Sequence, residues 1–178
     1  MTIDTLIKVL PPPAEPYQAF SGPWEPVEAE LGLVLPQDYK DFVRLYASGY
    51  FMEFIGVYVP RSKNPHTRLE YNVPVVCRSL SSLTFLQEPP YPFWPTPGGL
   101  LPFGGTDDGD DLFWLTREAP EEWKVVVLDR GGDRFETLDC DLTDFLAGLI
   151  TGEILPKEFP DLLPCDRLFI PDSSWPEP

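Results

Sequence analysis

Tyr39, Phe42, Val43 and Tyr46 stand at i, i+3, i+4 and i+7, with Gln37, Lys40, Asp41 and Arg44 on the other side. That spacing predicts an amphipathic helix opened by Pro36 and ended by Gly49. A shorter helix is predicted just before it. Pro26 suits a first helical position, Glu28 falls in the first turn, Val27 and Leu31 share a face, and Gly32 supplies the stop. Phe51 to Val59, rich in aromatic and branched residues and bounded by Pro60, predicts one strand, and a polar loop follows from Arg61 to Arg68. Leu69, Val73, Val76, Leu80 and Leu83 again have helical spacing, but Pro74 interrupts them. The expectation there is a short turn and then a helix from about Pro74.

The second half changes period. Leu100–Phe103, Leu112–Thr116, Trp123–Leu128 and Arg134–Leu138 read as four short strands separated by turn-forming stretches rich in Gly and Asp. Such short connections predict an antiparallel meander. A last helix is capped by Asp141, lined by Leu142, Phe145, Leu146, Leu149 and Ile150, and closed by Gly152. The fold class expected is α+β, a central antiparallel sheet flanked by helices. Residues 1–22 read as an N-terminal arm, 23–152 as the domain, and 153–178 as an irregular tail packed on it.

Composition narrows the function. With 178 residues, 43% apolar and 13% aromatic, the chain has enough material for one core despite its 23 prolines. No apolar run approaches the roughly 20 residues that span a bilayer, and Met1-Thr2-Ile3-Asp4 lacks the basic start of a signal peptide. Cys77, Cys140 and Cys165 are odd in number and far apart, which predicts no disulfide framework and a reduced, cytoplasmic setting. The net charge is −16. Phosphate neutralisation requires a basic excess, so nucleic acid is excluded as a partner. Residues 1–69 hold 8 acids and 6 bases; residues 70–178 hold 21 and 7. That imbalance serves solubility or a basic protein partner.

Enzymatic chemistry is scarce. The single histidine, His66, lies in a polar loop with no nucleophile or orienting acid nearby. Cys77 falls on an apolar stripe, and Cys140 sits between Asp139 and Asp141, which disfavours a thiolate. The Gly98-Gly99 and Gly104-Gly105 pairs match neither a phosphate-cradling loop nor a dinucleotide fingerprint, and no cofactor is implied. The run Asp107-Asp108-Gly109-Asp110-Asp111 offers hard oxygen ligands, but without the spacing of an EF-hand loop or its closing glutamate. An acidic turn is the better reading, with no metal; a calcium-binding or hydrolytic use of this loop stays open as the third alternative. In an up-and-down meander the first and third connections lie at one end of the sheet. Asp107, Asp108, Asp110 and Asp111 are therefore expected near Asp129 and Asp133, as the charged contacts for a partner, with Glu118, Glu121 and Glu122 at the opposite end.

Three segments, in order, resemble the SUKH superfamily, the Smi/Knr-type domains. Trp24 to Phe42, with its Leu35-Pro36 pair between an acidic helix and an amphipathic one, is similar to the start of those domains. Leu101-Pro102-Phe103-Gly104-Gly105-Thr106 with Gly109-Asp110 and Phe113-Trp114 is similar to their Pro-Phe-Gly…Gly-Asp strand-turn-strand, and Leu142 to Ile150 to their closing helix. The resemblance covers roughly residues 24–152. It implies an α+β fold and, in bacteria, a non-enzymatic immunity protein that binds and blocks a toxin domain, often a nuclease or deaminase. The fungal branch implies a regulatory scaffold instead, which stands as the second alternative. The N-terminal arm and the proline-rich stretch near residues 89–98 fall outside the pattern.

Overall fold

The computed structural model describes residues 3–83 and 88–172. Five α-helices are present among them: α1 (Asp4–Val9), α2 (Glu25–Leu31), α3 (Gln37–Leu45), α4 (Leu69–Ser81) and α5 (Leu142–Thr151). The strands are β1 (Gly49–Phe51), β2 (Ile55–Val57), β3 (Leu100–Thr106), β4 (Asp111–Leu115), β5 (Lys124–Leu128), β6 (Phe135–Leu138) and β7 (Phe169–Pro171). All seven join one antiparallel sheet in the order β6-β5-β4-β3-β2-β1-β7. The α+β meander expected from the sequence is the architecture found. No helix of the described residues is long and apolar enough to cross a membrane.

Alternation along the strands sends side chains to two cores. Phe103, Leu112, Trp114, Val125 and Val127 face the larger one, together with Leu6 of α1, Tyr39, Phe42 and Val43 of α3, and Phe145, Leu146 and Leu149 of α5. Leu100, Phe113, Leu115, Val126 and Leu128 face a smaller core closed by Cys77 and Leu80 of α4 and by Phe93. α5 starts where two carboxylates receive its orphan amides: Asp141 accepts from Asp144 N at 2.8 Å, and Asp38 of α3 from Thr143 N at 3.2 Å. Gly152 ends it in the left-handed conformation.

Three local expectations change. The single strand Phe51–Val59 is a hairpin, because Met52 and Glu53 both take positive φ (52° and 55°) and reverse the chain. α3 ends at Leu45, and Gly49 is the first residue of β1 rather than a helix stop. A Cβ at Gly49 would lie 2.6 Å from the Ile170 carbonyl oxygen, so only glycine admits β7 alongside. α4 starts at Leu69 with Pro74 inside it. Its stripe of Leu69, Val73, Cys77 and Leu80 is buried, and Asn72 Nδ2 donates to the Arg68 and Pro65 carbonyls, which offsets the one hydrogen bond Pro74 cannot make.

The segments at both ends of the described residues are built in. α1 packs on α5, Leu6 is fully buried, and the Tyr46 hydroxyl donates to the Leu10 carbonyl. The later segment returns as β7 on the outer side of β1, where Asp172 accepts from the Ser48 hydroxyl. The remaining tail, from Ser173, and residues 84–87 lie outside the described residues.

Candidate functional site: the acidic end of the sheet

The β3–β4 and β5–β6 turns lie side by side at one end of the sheet, and Asp110 joins them. Its Oδ2 accepts from the Thr106 hydroxyl at 2.7 Å, and its Oδ1 from the Arg130 backbone N–H at 3.0 Å. Thr106 Oγ1 in turn accepts the Asp110 N–H at 3.0 Å, and Gly109 turns the loop at φ 95°. Asp110 is 3% exposed, so its carboxylate holds the two turns together rather than facing solvent. Asp129 organises the second turn, with Oδ1 accepting from Asp133 N and Arg134 N and Oδ2 from Gly131 N, at 2.8–3.1 Å. Burial pulls its pKa upward, but these three N–H bonds and the Arg134 charge outweigh that and hold it below the ordinary aspartate value.

The other predicted residues divide into two groups. Asp107, Asp108 and Asp133 are exposed at this end. Asp107 is raised above its ordinary value by partial burial and by Asp108. Asp111, in contrast, is the first residue of β4 and projects to the side of Phe113 and Leu115, away from the turn surface. The four carboxylates between Asp107 and Asp111 therefore do not form one cluster. Glu158, which sequence reasoning missed, joins the end from the tail: its Oε1 pairs with Arg134 at 2.8 Å. No periodicity in residues 153–160 signals that arrival. Between the turns and residues 158–160 lies a cleft of about 260 Å³, with Arg130 4.0 Å from Asp108 at its mouth.

What this arrangement does chemically is present negative charge on a rigid frame. The described residues contain no group of three or more His, Cys, Asp or Glu side chains disposed to hold a metal ion. Burial pushes the Cys77 thiol up to about 12, with Asp111 adding to it; Cys140 reaches about 12 through burial and then Asp141, Asp144 and Asp139. His66 offers its backbone N–H to Asn64 Oδ1 in an exposed loop. Because the Asp110 carboxylate accepts two hydrogen bonds and Asp108 has only a 4.0 Å pairing with Arg130, Asp110→Ala should cost about 1–3 kcal/mol and Asp108→Ala less than about 0.5. Urea denaturation of the two variants checks this; equal costs would remove Asp110 from its joining role.

A family model, SUKH_6, described as SMI1-KNR4 cell-wall, matches residues 23–146, which take in α2 through β6 and the start of α5. No curated protein and no solved structure matches the chain. With the greater part of its length matched, and with the antiparallel sheet and helices in place, this chain belongs to the SUKH superfamily of SMI1-KNR4 proteins.

Proposed function

We propose that the chain is a non-enzymatic immunity protein of the SUKH superfamily, which binds and neutralises a basic bacterial toxin domain of the nuclease or deaminase class. One observation carries the reading: the two aspartate turns converge, and Asp110 and Asp129 fix them so that Asp107, Asp108 and Asp133 stand exposed together. A net charge of −16 steers a basic partner toward that end, while apolar contacts around the cleft at Phe159 and Pro160 set how long it stays. Occlusion needs no cofactor and no proton transfer, only an interface of roughly 1,600 Å². The cytoplasm, where a toxin would strike its own producer, is the proposed place of action.

Affinity capture from the native lysate, washed at low and then high salt, tests the partner. One basic protein, retained stoichiometrically and toxic when expressed alone, is the expected result; a set of weakly held proteins would instead favour a scaffold. The site is tested by changing Asp107, Asp108 and Asp133 together to Asn. Association should slow by about tenfold or more at low salt, and the difference should shrink as salt screens the charges. Unchanged association at low salt would remove these residues from the interface.

A further inference from the structure

β6 is a terminal strand of the sheet, and its outer side is an edge with no strand beyond it among the described residues. In an antiparallel ladder, residues whose backbone faces the neighbour alternate with residues whose backbone faces away. The Asp129 N–H donates to the Arg134 carbonyl at 3.1 Å, in the register that sets Val127 opposite Glu136 and Val125 opposite Leu138. Arg134, Glu136 and Leu138 therefore turn toward β5, and Thr137, opposite Val126, turns its N–H and C=O out of the sheet. Neither group has a backbone partner on that side among the described residues, and Thr137 is exposed.

The strand is held from above and below rather than from the side. On one face the Tyr91 hydroxyl meets Thr137 Oγ1 at 3.0 Å, and on the other Glu136 Oε2 accepts from the Lys157 N–H at 2.8 Å. β6 is thus kept extended while its edge stays open, so an added strand meets a frame already in place. A cleft of about 360 Å³ lies beside it, walled by Asp129, Asp133, Glu136 and Glu158 together with Arg134 and Lys157, and it shares Asp129 and Glu158 with the cleft at the acidic end. Charge selects the occupant. A second copy would bring −16 against −16, which keeps like chains from pairing edge to edge. A basic segment instead meets four carboxylates and two bases in the cleft, and reaches the edge directly from the acidic end.

We propose that β6 takes an extended segment of the basic partner as a further strand of the sheet, paired through the backbone of Thr137. The proposal rests on the reading of the partner as a basic protein, and adds which part of it docks and which bonds hold it. The partner residue opposite Thr137 exchanges two backbone hydrogen bonds with it, and alternate side chains of the segment then fall on the side of the cleft. The acidic end sets the rate of encounter, while the edge sets direction and register.

Amide NMR of the intact protein tests the edge, with the heptapeptide Lys-Val-Lys-Val-Lys-Val-Lys as probe at about 0.1 M salt. Its control is the same peptide N-methylated at every inner residue, which keeps the charge and loses the N–H donors. The Thr137 amide should shift downfield and exchange more slowly with the first peptide, and do neither with the control. Thr137→Pro, which removes an outward N–H, should keep the remaining amide spectrum and weaken the peptide by about fivefold or more. The methylated control needs no variant, so the test stands even if that substitution disturbs the strand. Equal Thr137 responses to the two peptides would overturn the backbone pairing. Shifts confined to residues 107–110 and 129–133, with Thr137 unmoved, would overturn the edge and leave the acidic-end reading standing. Thr137 shifts that grow with protein concentration alone would make a second copy the occupant, and overturn it as well. A peptide that moves no signal anywhere would remove both the edge and the acidic end.

Discussion

Replacing Trp114 with alanine is expected to lower stability by about 3–5 kcal/mol, the range for losing a large aromatic from a packed core. Trp114 is 1% exposed and pairs with Leu101 of β3 and Val125 of β5 at the middle of the sheet. Its ring centroid lies 4.8 Å from Phe103, 4.9 Å from Tyr39 in an edge-on contact, and 6.0 Å from Trp123. Tyr39 is committed elsewhere, donating its hydroxyl to the Tyr58 carbonyl at 2.7 Å, so it cannot swing into the vacated space without giving up that bond. The cavity therefore persists, and with it the penalty of unfilled volume. In a domain of this length the melting temperature should fall by on the order of 10 °C. Equilibrium denaturation at matched pH measures it; a loss below about 1 kcal/mol would mean that α3 and the sheet close over the gap.

A second large effect is pH dependence of an unusual sign for an acidic protein. Burial, and then Asp141, push Asp38 up to about 6; burial, and then Asp110, do the same for Asp111, against an ordinary value of 3.8 for each. Between those limits the folded protein holds protons that the unfolded chain has released. The stabilisation is complete below about pH 4 for these two groups and is lost as pH rises through about 6. Each contributes up to ~3 kcal/mol by the size of its shift. Below about pH 4 the opposite groups take over, since Asp129 and Glu28 are held below their ordinary values and lose that advantage when protonated. Stability should thus rise from about pH 7 to a maximum near pH 4 and fall beyond it. Asp38→Asn should stabilise the protein at pH 7 and remove a good part of the rise. Denaturation midpoints that fall steadily from pH 7 to pH 5 would reject this account.

Regular stretches of the fold were legible in the sequence, and irregular ones were not, for physical reasons that differ by element. α3 and α5 announce themselves because one face of each is fully apolar, and the four strands from β3 to β6 because short Gly and Asp turns leave an antiparallel path as the direct route. The β1–β2 hairpin hides because its reversal uses Met52 and Glu53 in the left-handed region, where sequence patterns expect Gly or Asn. β7 hides because three residues carry no period, and it exists only through pairing with β1. At the site, the convergence of the two aspartate turns follows from counting strands. The different fates of Asp110 and Asp111 do not. Adjacent residues at a strand entrance point to opposite sides, and which one falls inward depends on where β4 begins. Glu158 was out of reach because a long irregular segment brings it back.

The returning strand also governs when the molecule can close. β1 lies between β2, which follows it at once, and β7, which is the last strand of the described residues to be made. During synthesis the Gly49–Phe51 edge must wait with its outer amides unpaired until Phe169–Pro171 clears the ribosome, and the Ser48–Asp172 contact waits with it. The nascent chain is therefore most open to mispairing in the interval between completing α5 and completing β7, and a translational pause there would lengthen that exposure.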